Sequence, residues 1–147
     1  MKKLLSLVLT TVMVLSLAAC GGNSALTKEE MISQAENVPS FTTIYNDTLS
    51  NKANAKSLYC DKIISTSGQV SVIEEDYVVL TGLPGEGTSM DIVMDVYLST
   101  EEIRELGICD VITVVGYVSS LEEREYYVPP YTAVLTNYIM EDAYIVK

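Results

Sequence analysis

Histidine and tryptophan are absent from this chain, phenylalanine occurs once, and only 9 residues are basic against 20 acidic. Without histidine there is no Ser-His-Asp or Cys-His relay, and the commonest side-chain ligand of zinc and copper is missing. Neither a Ser-x-x-Lys motif, a glycine-rich phosphate loop nor an Asp-x-Asp-x-Asp-Gly calcium loop is present. Paired carboxylates occur in almost any acidic chain and nominate nothing by themselves, so the expectation is a non-enzyme with no catalytic residue, no metal and no cofactor. The shortage of lysine and arginine carries a second exclusion. Nucleic-acid binders draw much of their affinity from basic groups that neutralise phosphates, and here these groups are few and scattered. A net charge of −11 makes nucleic acid an unlikely partner and favours cations, basic peptides or basic protein surfaces, although acidity also serves solubility alone.

What is present begins at the first residues. Lys2 and Lys3 precede an uncharged apolar run over residues 4–17, which is shorter than the roughly 20 residues a membrane-spanning helix needs. Small residues close the run. Leu17-Ala18-Ala19-Cys20, followed by Gly21 and Gly22, resembles the lipobox of bacterial lipoproteins. That resemblance implies that residues 1–19 are a cleaved signal peptide and that Cys20 is the lipid attachment site. Residues 20–26 would then be a tether that places the protein outside the cytoplasm, lipid-anchored to the cell membrane. The competing reading is an ordinary secretory signal in which Cys20 is incidental. Gly21, where some double-membraned bacteria carry a retention aspartate, leaves the membrane and the Gram type of the host open.

Cys60 and Cys109 are the two other cysteines. Each precedes a predicted strand, and antiparallel pairing of those strands would hold the two Cα atoms beyond the ~7 Å limit of a disulfide. Two buried or unreactive thiols are expected.

Thr27-Lys28-Glu29-Glu30 reads as a capping box opening a helix towards residue 36, which Val38-Pro39 ends. Over residues 40–59, Phe41, Ile44, Tyr45, Leu49, Ala53, Ala55 and Leu58 recur at mostly helical spacing and predict a second helix lying across the domain that follows. Residues 27–59 thus form an N-terminal helical segment and residues 60–147 a β domain. From Ile63 the period becomes two, with Ile64, Thr66, Gly68, Val70 and Val72 on one face. Glu74-Glu75-Asp76 turns the chain into a strand over residues 77–81, and a glycine-bearing loop leads to a third strand over residues 90–97. Met90, Ile92, Met94 and Val96 face the core there, while Asp91, Val93, Asp95 and Tyr97 face solvent. Ser99 to Glu102 caps a short helix with Ile103 and Leu106 buried. A fourth strand covers residues 111–120. A charged, tyrosine-bearing loop over residues 121–130 precedes a last strand within residues 132–146, interrupted near Glu141-Asp142.

Three strands, a short helix and two strands is the order of the five-stranded oligonucleotide/oligosaccharide-binding barrel, the OB-fold, with Gly68 and Gly116 at bends. The fold class is therefore mainly β with short helices. Asn51, Ala55, Tyr59 and Lys62, then Ser67-Gly68-Gln69-Val70, Leu106, Asp110 through Gly116, and Ala143-Tyr144-Ile145-Val146 resemble the tRNA-anti-like branch of OB-fold domains found in bacterial lipoproteins. Cys109 stands where that pattern would put glycine, and Tyr144 where it often has cysteine. The resemblance speaks to fold and names no chemistry.

An OB barrel uses the outer face of its second and third strands with the adjoining loops. In this chain those positions are acid and tyrosine: Glu74, Glu75, Asp76, Tyr77, Asp91, Asp95, Tyr97, Glu122, Glu123, Glu125, Tyr126 and Tyr127. Glu75, Asp91, Asp95, Tyr97, Glu123, Tyr126 and Tyr127 are the nominated ligand-binding residues. Carboxylates and tyrosine faces attract ammonium and guanidinium groups, suiting a basic peptide, a polyamine or an envelope protein. The alternative is that tyrosine replaces the missing aromatics and the acids are solvated turns. Asp91 and Asp95, four residues apart on a strand, stand about 13 Å apart and cannot share one ion. The function expected is a membrane-tethered binding module, against a structural or assembly accessory of the cell envelope. The ligand, the pathway and the oligomeric state are not legible.

Overall fold

The computed structural model describes residues 26–128 and 131–146, the side chains of 126–128 and 131–132 excepted. The described chain is mainly β with four short helices. In order these are α1 (Lys28–Gln34), β1 (Glu36–Asn37), α2 (Phe41–Ser50), α3 (Lys52–Tyr59), β2 (Lys62–Ile73), β3 (Tyr77–Thr81), β4 (Ile92–Tyr97), α4 (Thr100–Arg104), β5 (Val111–Val128) and β6 (Tyr131–Val146).

The six strands form one mixed sheet in the order β1-β2-β3-β4-β6-β5, and β5 also pairs with β2. Strands β2, β3, β4, β6 and β5 are therefore hydrogen-bonded in a cycle. All of its junctions are antiparallel except β4 with β6. Two glycines let strands approach at crowded points. A Cβ on Gly68 would lie 2.9 Å from the Thr81 carbonyl oxygen, and one on Gly116 would lie 2.6 Å from Met140 Cγ and 2.9 Å from the Ala143 Cβ.

Alternating residues point inward and make the core: Ile64 and Val70 from β2, Val78 and Leu80 from β3, Met94 and Val96 from β4, Val114 and Val118 from β5, Tyr138 and Met140 from β6. Helices α2 and α3 close it with Phe41, Ile44, Tyr45, Ala55 and Tyr59, all part of the same cluster. Polar groups lock them there. Tyr138 and Thr48 hydroxyls are hydrogen-bonded at 2.7 Å, and the Tyr59 hydroxyl donates to Asp47.

The Thr27–Glu30 capping box is present as expected. The strand over residues 77–81 and the Ser99 cap are likewise as expected, and where other elements differ from the predicted ones the reason is local. The single helix expected over residues 40–59 is two, because Asn51 is extended (φ −162°, ψ 95°) and its side chain accepts from the Asn54 N–H, starting a new helix. The break resets the helical phase, which leaves Leu49 and Leu58 exposed. In β2 the register with β3 shifts by one residue between Val70 and Val72. This bulge sends Val72 to the outer face and Ile73 against the core. Met90 precedes β4 and is exposed.

The largest correction is the loop expected over residues 121–130. β5 continues to Val128 and pairs with β6 in unbroken register from Ser120↔Ile139 outward. Beyond Val118, β5 has no described partner but β6, and before Thr136, β6 has none but β5. The two ends project as a hairpin arm. At the other end of β6, the predicted interruption is a bulge at Asp142 (φ 50°) inside one continuous strand.

Cys60 and Cys109 are both free, at opposite ends of the β2–β5 ladder, as the antiparallel argument requires; of the two, Cys60 is buried and Cys109 is exposed. Cys109 sits in left-handed conformation (φ 75°) just before β5, held by its N–H on the Val70 carbonyl at 2.8 Å. That backbone suits glycine, which carries no Cβ penalty. Cys109→Gly is expected to stabilise the protein by about 1 kcal/mol, read as a raised urea midpoint at unchanged m-value; no gain would mean that the turn tolerates a side chain at no cost.

Candidate functional site

The bulge in β2, the outer residues of β3 and β4, and the start of the β6 ladder meet on the outside of the sheet. Val72, Val79, Val93 and Leu135 line a groove of about 290 Å³ there, with Tyr77, Glu74 and Met90 around it and Asp95 and Asn137 among its lining. Alternation explains the set. Val93 and Asp95 are the outward residues of β4, and Leu135 and Asn137 are the residues of the same parity on neighbouring β6.

Asp95 is the electrostatic centre. Although it lies on the outward face, it is only 3% exposed, so the expectation of a solvent-facing carboxylate is corrected. Strand β6 runs beside it on one side and the arm supplies a lid of polar groups. Asn137 Nδ2 donates to Asp95 Oδ2 at 2.7 Å, and Arg124 Nη1 reaches the same oxygen at 3.2 Å. Arg124 also pairs with Glu122 at 3.6 Å. Burial pushes the Asp95 carboxyl above its ordinary range; the Asn137 hydrogen bond and the Arg124 charge oppose that rise, and Glu122 adds to it.

Asn137 is 2% exposed, and its Oδ1 has no hydrogen-bond partner among the described residues. The amide cannot be turned to cure this, because a carboxylate only accepts and the nitrogen must face Asp95. The other such atom, Thr66 Oγ1, lies on the core face of β2. The groove thus combines an apolar floor, an aromatic flank and one buried acceptor in want of a donor. Asp95 has Arg124 as a counter-ion from its own chain.

The nominated residues are only partly gathered here. Asp95 lines the groove; Tyr97 lies beside it, its ring packed on that of Tyr77 at 5.3 Å between centroids. Glu75 is exposed in the β2–β3 turn, and its neighbour Glu74 is the one at the groove. Asp91 stands just before β4 and accepts from the Tyr45 hydroxyl at 3.4 Å, away from the groove. Glu123 projects from the opposite side of the arm to Arg124 and is ion-paired with Lys52 of α3. Tyr126 and Tyr127 are placed by backbone register alone, opposite Ala133 and Thr132, and their side chains lie outside those described. Cys20 lies outside the described residues. Sequence reading missed Asn137, Leu135, Val72 and Arg124. The one signal available was Arg124 itself, a lone base in the run Glu122-Glu123-Arg124-Glu125.

No family model and no curated protein matches the chain. Among solved structures the fold is similar to that of a lipoprotein from Klebsiella pneumoniae subsp. pneumoniae, described as a candidate nucleic acid-binding protein. The TM-score is 0.53 at 17% identity, covering 84% of this chain and 100% of the other. The likeness is one of fold. Among the described residues no helix is long and apolar enough to cross a membrane.

Proposed function

We propose that this protein is a lipid-anchored, extracytoplasmic binding module without enzymatic activity, built on an OB-type barrel of β2 to β6, with the outer-face groove as its ligand site. The cyclic strand pairing, with β4 and β6 as its one parallel junction and α4 between β4 and β5, supports the barrel. The leader, the Leu17-Ala18-Ala19-Cys20 motif and the fold shared with a lipoprotein support the anchor.

The observation that carries the reading is the buried, unpartnered Asn137 Oδ1 at an apolar groove, since leaving such an acceptor without a donor costs about 1–3 kcal/mol. A ligand that brings an N–H or O–H, and whose entry shifts the groove lining enough to uncover the closed Oδ1, recovers that cost. Glu74 at the groove, Glu75 and Asp76 beside it and Glu122 on the arm favour a basic segment of an envelope protein or peptide over a free polyamine, which would leave the apolar floor unused. The solved neighbour's description raises nucleic acid as a competing ligand. Against it stand a net charge of −11 and the carboxylates at the groove, which repel phosphate.

The chain from residue 20 with Cys20→Ser, immobilised and exposed to envelope extract, is expected to retain a basic partner that Leu135→Glu releases while its circular dichroism is unchanged. Identical retention by parent and variant would move the site elsewhere and favour an accessory, scaffolding role. Retention on an oligonucleotide column at physiological salt would instead put nucleic acid first.

A further inference from the structure

The arm offers a main-chain edge next to the groove. The Thr136 N–H donates to the Asp91 carbonyl at 2.7 Å, so at that position β6 turns its backbone groups away from β5 and towards the line of β4. Main-chain groups of a strand alternate sides with a period of two. The register of β6 with β5 has no shift between Val134 and Thr136, so the N–H and C=O of Val134 point the same way as those of Thr136. β4 begins only at Ile92, and no described strand lies beside Val134 on that side. Val134 itself is 50% exposed. Leu135, whose side chain lines the groove, sits between this open position and Thr136.

We infer that an extended, basic peptide adds to β6 at Val134 as a strand continuing the line of β4, and that it seats one apolar side chain bearing a single N–H donor in the groove beside Leu135. The inference rests on the groove reading above and adds the mode of binding and the ligand class. Strand addition supplies main-chain hydrogen bonds, and the pocket for an alternate side chain supplies selectivity. A groove of about 290 Å³ is at the small end for a ligand site and has room for one large side chain. Its one unsatisfied atom, Asn137 Oδ1, asks for one donor. An indole meets both demands, being apolar with one N–H and no acceptor. Lysines two residues to either side of it, on the same face of the added strand, meet Glu74 and Glu122. The arm's own Arg124 stays on Asp95, so the ligand is not required to break an ion pair.

Because the protein contains no tryptophan, the emission of a tryptophan probe reports on the peptide alone. The probe is a blocked heptapeptide, acetyl-Lys-Lys-Val-Trp-Val-Lys-Lys-amide, titrated with the chain from residue 20 carrying Cys20→Ser. The indole emission is expected to shift to the blue on binding. N-methylation of the peptide's alternate main-chain nitrogens, in either parity set, should reveal one set that weakens binding at least tenfold. Val134→Pro, which removes the outward N–H at a position where an edge strand tolerates proline, should do the same. Binding abolished by Leu135→Glu but indifferent to both N-methylated peptides and to Val134→Pro would overturn strand addition and leave the groove reading standing. No emission shift with millimolar protein would also overturn the inference, and the envelope capture experiment would then judge the groove separately. The N-methylated peptides keep the test decisive should Val134→Pro fail to fold.

Discussion

Phe41→Ala is expected to destabilise the whole domain by about 3–5 kcal/mol, the cost of emptying a large aromatic site in a close-packed core. Phe41 is the first residue of α2 and fully buried. It shares one cluster with Ile44 and Tyr45 of its own helix and with residues of β2, β3, β4, β5 and β6. Its loss should lower the thermal midpoint by on the order of 10 °C or more in a domain of this size, in one cooperative transition. The same substitution would barely move the midpoint if the helical segment were detachable from the sheet. Far- and near-ultraviolet dichroism followed together through the melt separates the cases: coincident transitions support one core, and an early loss of helix signal alone would refute it.

Asn137→Ala should destabilise the fold by about 1–2 kcal/mol near neutral pH, because losing the hydrogen bond to the buried Asp95 carboxyl outweighs relief of the unpartnered Oδ1. Its pH dependence is the sharper result. The Asp95 carboxyl already titrates above its ordinary value in the folded protein, chiefly because it is buried, and Asn137 is the leading influence that holds the value down. A raised carboxyl pKa means that ionising Asp95 is harder in the fold than in the unfolded chain. The resulting penalty is absent below the unfolded value of about 3.9, grows as pH rises from there to the folded value, and is constant above it. Removing Asn137 raises the folded value further. The loss of stability should therefore be largest at neutral pH and shrink as pH falls towards 4, measured as the difference in urea midpoints between parent and variant. A loss that is constant with pH would show that Asp95 does not ionise within the fold and that Asn137 acts through packing alone.

Much of the fold is visible in local pattern. The alternation of Ile64, Thr66, Gly68 and Val70, or of Ile92, Met94 and Val96, marks an inward face without reference to anything distant, since a strand's side chains alternate whatever it pairs with. The Thr27–Glu30 and Ser99–Glu102 starts are equally local, because a cap is a contact across three residues. Asn51 shows the limit of that locality. Helical spacing runs on across it, yet its side chain competes for the backbone and divides the helix. The arm escaped reading for a related reason: the charged run Glu122-Glu123-Arg124-Glu125 followed by Tyr126 and Tyr127 looks like a solvated loop until a second strand of matching register lies beside it.

The candidate site was less legible than the fold. Alternation assigns Asp95 to the outward face, and outward was equated with wet. What buries Asp95 is Arg124, 29 residues away in sequence, and Asn137, 42 residues away. Asn137 reaches it because β6 is parallel to β4 at that point, and Arg124 because β5 and β6 continue into an arm. The sequence by itself determined the acidic charge, the missing histidine chemistry, the Lys2-Lys3 start with the Leu17-Ala18-Ala19-Cys20 motif and the inward face over most of β2, β3 and β4, since all of these are properties of composition or of neighbours along the chain. Tertiary structure alone decided which strand lies beside which, and with it which carboxylate is buried, which base neutralises it and where an acceptor is left unpaired. Those outcomes depend on pairings between segments far apart in sequence, to which a local period is blind.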